Sequence, residues 1–226
     1  MTHTIPLGFV RVVFCSAKIC SMDIRSLRQS PVFYAVIVAC LAFAGMSLSI
    51  AFTADPRWIE WHMSRLGEGR HLSSVIFNVS MILVAGTLVT YAQPMTRTLD
   101  KAKARTFRSV IWVMALALIG VALFPFDEYP IAHNMFGYSF FFATGGLMLW
   151  SAAHVKQFSR RSARIALTAA IVTFVLMALH HLYRFTTLLT VELIGELLLF
   201  AWLMSIALDV DLVRKRLTVS SHRSSR

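Results

Sequence analysis

Long runs of apolar residues alternate with short polar segments along this chain of 226 residues. Six such runs stand at 32–53, 73–92, 109–126, 134–154, 165–184 and 188–208. Each has few or no charged residues and comes close to the roughly 20 residues that a helix needs to cross the hydrocarbon core of a bilayer. The polar segments around them are at most 31 residues long, which is too short to bury a separate core. The pattern therefore predicts an all-α integral membrane protein, a single six-transmembrane-helix bundle.

The same pattern divides the chain into three parts. We expect an N-terminal segment at 1–31, the six-helix transmembrane domain at 32–208 and a basic tail at 209–226. The first 21 residues are apolar, but Arg11 and Lys18 interrupt them and they lack the charged start of a signal peptide. We interpret them either as an interfacial helix or as an extension upstream of a natural start at Met22.

Charge adds an orientation to this picture. The chain has a formal net charge of +11, and 18 of its 22 lysines and arginines fall on one side of a six-pass topology. Because basic residues are retained on the cytoplasmic side, both termini are expected to be cytoplasmic and the protein to lie in the plasma membrane. The expected partners of this basic face are membrane lipids with anionic headgroups. Nucleic acid is not an expected partner, since no binding motif accompanies the charge.

Acids and histidines collect on the opposite side. Seven of the eleven acids and five of the eight histidines belong to the first, third and fifth connections or to the adjoining span ends. The candidates for catalysis are His133, Asp127, His180, His181, Glu192 and Glu196. The candidates for ligand binding are Glu60, His62, Ser64, Arg65 and Arg184. The candidate metal ligands are His133, His180, His181 and Asp127, with zinc as the candidate metal.

Glu192 and Glu196 are the most informative pair, because residues four apart share one helix face. Glu196 lies roughly 10 Å inside its span by helical rise. Charged side chains at such depth usually face the bundle interior or a water-filled cavity. Three interpretations stay open: a structural polar network, a catalytic site, and a binding or transport site for a lipid headgroup, proton or ion.

The leading expectation is an integral membrane protein of unassigned function with an outward-facing polar pocket. The alternative is a membrane-embedded hydrolase or transferase acting on lipid, dependent on metal or not. A zinc site lacks support from spacing, because the sequence has no HExxH or similar motif. Ser64 is a weak candidate nucleophile, because its proximity to His62 in sequence is not a triad geometry.

The short stretch "FDEYPIAH" (126–133) holds His133 near the ends of two spans. Its prolines, Pro125 just before and Pro130 within, restrict how the chain turns there. We therefore expect His133 to contact the polar layer rather than lipid. At least one of Asp127, Glu192, His180 and His181 is expected within reach of its side chain.

Two stretches carry a resemblance to a known family. "HMSRLGEGRHLSSVIFNVSMILVAG" (62–86) and "IGVALFPFDEYPIAHNMFGYSFFF" (119–142) resemble the six-pass prokaryotic membrane family catalogued as domain of unknown function 998. A more distant likeness is to DRAM-type eukaryotic membrane proteins. The positions that correspond to the family pattern are Ser64, Leu66, Gly67, Asn78, Pro125 and His133. The resemblance implies the fold and a membrane location, and it points to the first outer loop and His133 without implying a mechanism.

Overall fold

The computed structural model describes residues 29–53, 60, 62–183 and 187–224, with side chains up to residue 216. Within these ranges the chain forms six α-helices, two short 3₁₀ helices and no strand. The helices are α1 (Pro31–Phe52), α2 (Leu72–Met95), α3 (Lys101–Leu123), α4 (Pro130–His154), α5 (Arg160–Tyr183) and α6 (Leu188–Ser224). The 3₁₀ helices are Met63–Gly67 and Thr96–Thr98. The expectations for residues 1–28 and for Arg184 fall outside the described ranges.

The helices follow the six apolar runs, with ends set by local chemistry. α1 and α4 both begin at a proline. Proline has no N–H, which costs nothing there because N–H groups in the first turn have no acceptor within the helix. α3 begins well before the apolar run, because the Asp100 side chain caps it by accepting from the backbone N–H of Lys103 at 2.9 Å. α6 continues as one helix from the apolar run into the basic tail.

Each helix packs against the next one along the chain, and α1 packs against α6, so the bundle closes into a ring. Short connections make the neighbours antiparallel. We call the end that carries the Met63–Gly67 helix and the α3–α4 connection the site end. The opposite end, which carries the α2–α3 and α4–α5 connections, is called the basic end. At the basic end the Ser30 hydroxyl donates to Asp211 at 3.1 Å and the Ser159 N–H donates to Asp209 at 2.7 Å, which ties α1 and α5 to α6.

The core combines many alanines with larger aliphatic and aromatic side chains. Trp202, Tyr91 and Phe107 are among its largest fully buried side chains. The Tyr91 hydroxyl donates to the carbonyl of Leu203 at 2.9 Å, so its polar atom is satisfied inside the bundle. Many large apolar side chains point outward instead, including Trp112, Leu116 and Phe142. That outer surface suits a hydrocarbon solvent and is unusual for a protein in water.

Five of the described helices are long and apolar enough to cross a membrane: α1, α2, α3, α5 and α6. α4 has 25 residues and no Asp, Glu, Lys or Arg, but its asparagine, serines, tyrosine and glycines make it less apolar. The described part of the chain is therefore helical and membrane-embedded, with five candidate spans and a sixth long helix packed among them.

Candidate functional site

The Met63–Gly67 helix is clamped onto the site end of the bundle. The Asn78 amide on α2 donates to the carbonyl of Gly67 at 3.1 Å. A side chain at Gly67 would meet Phe77 at 2.9 Å, so only glycine allows this close approach. On the other side the N–H of Gly69 donates to Asp127 at 3.1 Å, which links the first loop to the α3–α4 connection. The loop that carries Ser64 is thus held from two directions.

Ser64 and His133 are hydrogen-bonded although they lie 69 residues apart in the chain. The Ser64 Oγ is 2.8 Å from His133 Nε2, and His133 Nδ1 is 2.9 Å from the carbonyl oxygen of Phe124. A carbonyl only accepts, so Nδ1 carries the proton and, in a neutral ring, Nε2 is the acceptor. Ser64 O–H therefore donates to His133. His133 is only 6% exposed.

His62 lies on the other side of the same hydroxyl. Its Nδ1 is 3.0 Å from Ser64 Oγ, and its Nε2 is 3.7 Å from Glu68. Burial, with smaller contributions from His133 and Arg65, lowers the pKa of His62 to about 4. The ring is therefore neutral at pH 7. Because the Ser64 proton is directed to His133, the consistent tautomer of His62 donates from Nδ1 to Ser64 Oγ.

Glu192, on α6, contacts the loop that carries Ser64. Its carboxylate accepts the backbone N–H of Met63, the residue before Ser64. Glu192 thus anchors the 3₁₀ helix to α6. Glu196 lies one turn further along α6, deeper in the bundle.

Two pockets meet at Ser64 and His133. An outer pocket of about 230 Å³ is also bordered by His62, Asn134 and Tyr138. An inner cavity of about 130 Å³ extends into the bundle, where most of its lining is apolar. Ser64, His133, Gly137, Phe141 and Glu192 belong to both linings. The hydroxyl–imidazole pair therefore lies where an outer pocket with several polar groups meets an apolar inner cavity.

The other candidates are spread around the site end. His181 accepts from the Tyr138 hydroxyl at 2.8 Å and its ring contacts His180, on the outer side of α4 and α5. Glu60 is exposed, and Arg65 lies 4.0 Å from Glu68. In the described part of the chain no group of three or more histidine, cysteine, aspartate or glutamate side chains is arranged to hold a metal ion.

The structure brings His133 to a partner that sequence reasoning discounted. His133 bonds to Ser64 and Phe124, whereas the sequence pointed to Asp127, Glu192, His180 or His181. Glu192 borders the same two pockets, and Asp127 holds the loop that carries Ser64. The sequence singled out His133 by its position between two spans and Ser64 by its proximity to His62, and both fall in the stretches that resemble the family. No pattern in the sequence paired the two residues.

Comparison with known proteins agrees with that resemblance. No curated protein and no solved structure shows significant similarity to the chain. Residues 36–209, which include all the site residues described above, match a family model described as "Protein of unknown function (DUF998)". The chain therefore belongs to the DUF998 family.

Proposed function

We propose that this protein is a membrane-embedded hydrolase or transferase that acts on the acyl bond of a lipid, with Ser64 as nucleophile and His133 as general base. The observation that carries the proposal is the bond of 2.8 Å between Ser64 Oγ and His133 Nε2, with Nδ1 held by a backbone carbonyl. A nucleophile, a base within hydrogen-bond reach and a third group that orients the base are the parts of an activated serine. His62 is a positioning residue, whose N–H fixes the Ser64 oxygen.

The reaction divides into two steps. Ser64 Oγ attacks the carbonyl carbon of the lipid while its proton passes to His133 Nε2. The bond from that carbon to the headgroup oxygen or nitrogen breaks, and the leaving group takes the proton from His133. Water, or an acceptor alcohol in a transferase, then attacks the acyl-serine and gives a proton to His133. That proton returns to Ser64 Oγ as the acyl bond breaks.

The two pockets suit the two ends of such a substrate. The inner cavity is lined by apolar side chains such as Phe77, Met81 and Leu88, which suits an acyl chain. The outer pocket has polar groups and opens at the site end, which suits a headgroup. A lipid in that position has its acyl bond beside Ser64.

The test is acyl release from a membrane lipid extract in mixed micelles, followed by mass spectrometry. We expect the wild-type protein to release fatty acid or to transfer the acyl group to an added alcohol. Ser64→Ala is expected to lower the rate by about 1,000-fold or more, as loss of a serine nucleophile does. Ser139→Ala is the matched control, because Ser139 is exposed on α4 and bonds only to the backbone of its own helix. Equal rates for wild type and Ser64→Ala would contradict the proposal.

A second candidate function is binding without catalysis. Two carboxylates, Glu192 and Glu196, border the inner cavity, and acidic side chains inside a membrane bundle mark ion, proton or headgroup sites. This function predicts ligand binding that Ser64→Ala leaves unchanged and Glu196→Gln weakens, with no acyl product from either protein. The acyl-release assay therefore separates the two functions.

We also propose that α4 is a sixth span and that the basic end faces the cytoplasm of a plasma membrane. A pocket of about 490 Å³ at that end is bordered by Arg97, Arg108 and Trp112, which supports contact with anionic lipid headgroups. In a cysteine-free background, a cysteine at the exposed Arg70 should react with an impermeant reagent in intact cells, and one at the exposed Arg105 should not. The reverse labelling would overturn the orientation.

A further inference from the structure

Three buried polar atoms border the inner cavity without a hydrogen-bond partner in the described part of the chain. They are Thr144 Oγ1 on α4, Thr173 Oγ1 on α5 and Glu196 Oε2 on α6. Thr144 and Thr173 are only 6% and 4% exposed. Each such atom destabilises the fold when nothing bonds to it, because its hydrogen bonds to water are lost on burial. Three of them on three helices around one apolar cavity point to a missing partner.

These helices meet closely at this level. A side-chain carbon at Gly195 would lie 3.8 Å from the Thr173 methyl group and 3.3 Å from the Phe141 ring. At Gly195, α6 therefore lies within side-chain contact of α4 and α5, and the next residue, Glu196, borders the inner cavity. The group lies below Ser64: Thr144 follows His133 by 11 residues, or roughly 16 Å along α4.

We propose that Thr144, Thr173 and Glu196 form a polar subsite for a hydrogen-bond donor, a hydroxyl or an ammonium group, on the buried chain of the bound lipid. An ionised Glu196 only accepts, so a group that donates completes the set. A hydroxyl group donates and accepts, as each threonine hydroxyl does, and therefore completes the set with Glu196 in either protonation state. An unsubstituted acyl chain leaves all three atoms unpaired. The subsite thus selects acyl chains that carry a polar group at one distance from the acyl bond.

This inference rests on the proposed function only in taking the inner cavity as the acyl-chain site. Its test is a binding measurement in the Ser64→Ala protein, which needs no turnover. Thermal stabilisation is measured with three series of fatty acids of increasing length: unsubstituted, ω-hydroxy and ω-amino. We expect one chain length at which the ω-hydroxy or the ω-amino acid binds about tenfold more tightly than the unsubstituted acid. Which of the two is preferred identifies the donor as hydroxyl or ammonium.

The variants Thr144→Val and Thr173→Val keep the side-chain shape and remove the hydroxyl, so they are expected to reduce this preference. Glu196→Gln removes the charge and is expected to reduce it further. Thr168→Val is the matched control, because Thr168 lies on α5 with its side chain exposed. No preference at any chain length, or a preference that all three variants retain, would overturn the subsite. A subsite that survives while wild-type protein releases no acyl group would overturn the proposed reaction alone.

Discussion

His133 and His181 make the same pair of hydrogen bonds at the same end of the bundle. Each has its Nδ1 2.9 Å from a backbone carbonyl, that of Phe124 for His133 and that of Met177 for His181. Each has its Nε2 2.8 Å from a side-chain hydroxyl, that of Ser64 or that of Tyr138. By hydrogen-bond pattern alone the two imidazoles are equivalent.

Their surroundings differ in three respects. His133 is buried, it faces an aliphatic hydroxyl, and it borders an apolar cavity. His181 is exposed, it faces a phenol, and its carbonyl partner belongs to the preceding turn of its own helix. The bond from His181 to a carbonyl of its own helix follows from local helix geometry alone. His133 instead bonds to the end of α3 and to a loop that three other contacts hold in place. Its position therefore depends on the whole fold.

The largest effect that this comparison predicts is on catalysis. His133→Ala should lower acyl release by about 100- to 10,000-fold, because the base that accepts the Ser64 proton is lost. His181→Ala should stay within about twofold of wild type, because His181 touches neither Ser64 nor the inner cavity. The rates are compared in the micelle assay, and equal losses for the two variants would remove the distinction between the histidines.

The next effect is on stability as a function of pH. The pKa of buried His62 is about 4, whereas a histidine in an unfolded chain has a pKa of about 6.5. The unfolded state therefore binds the proton first as the pH falls. The stabilisation is complete above pH 6.5 and is lost towards pH 4, by a total of order 3 kcal/mol.

Thermal unfolding in detergent at pH 7 and pH 4.5 measures this loss. His62→Gln should be less sensitive to the change in pH than wild type, and Ser139→Ala should be as sensitive as wild type. Equal sensitivity to pH in His62→Gln and in the wild-type protein would show that His62 is not buried as a neutral ring.

A smaller effect is expected from the loop anchor. Asn78→Ala removes the donor to the Gly67 carbonyl and should cost about 1–2 kcal/mol of stability. It should also lower acyl release, because the anchored loop carries Ser64. Thr87→Ala on the exposed face of α2 is the control. Unchanged activity in a destabilised Asn78→Ala protein would show that the anchor does not position Ser64.

The smallest effect belongs to the more exposed histidine. Tyr138→Phe removes the bond to His181 at the surface and should change stability by no more than about 0.5 kcal/mol. Ser64→Ala removes the matching bond to buried His133 and should cost about 1–3 kcal/mol. Both losses of stability are measured by thermal unfolding. A larger loss for Tyr138→Phe than for Ser64→Ala would contradict the distinction between the exposed and the buried histidine.

The helices could be predicted from sequence because their signal is local. The run 188–208 and the observed start of α6 at Leu188 coincide, since a change from polar to apolar residues is visible wherever it occurs. The start of α3 is harder to predict, because the apolar run begins at 109 whereas the helix, capped by Asp100, begins at Lys101. Residues 101–108 form a helix on mostly polar residues, which hydropathy alone does not detect.

The site was only partly predictable because it depends on contacts between distant segments. Glu192 and Glu196 were identifiable as buried, since an acidic side chain within an apolar span is costly in lipid and turns towards the bundle interior. The Ser64–His133 bond required the first loop to fold under the α3–α4 connection. That placement depends on Gly67 packing against α2 and on Glu192 accepting the Met63 N–H, and neither contact has a pattern in the sequence.

The reactivity of the Ser64 oxygen tests most directly whether Ser64 and His133 form an activated serine. An activated serine displaces fluoride from a fluorophosphonate and keeps the phosphonyl group as an ester, whereas an ordinary serine does not react. Purified protein treated with a fluorophosphonate bearing an alkyl chain is digested and the modified residue is located by mass spectrometry. We expect modification of Ser64 in the wild-type protein and none in folded His133→Ala. An unmodified Ser64 in folded wild-type protein, or equal modification of Ser64 without His133, would contradict this expectation.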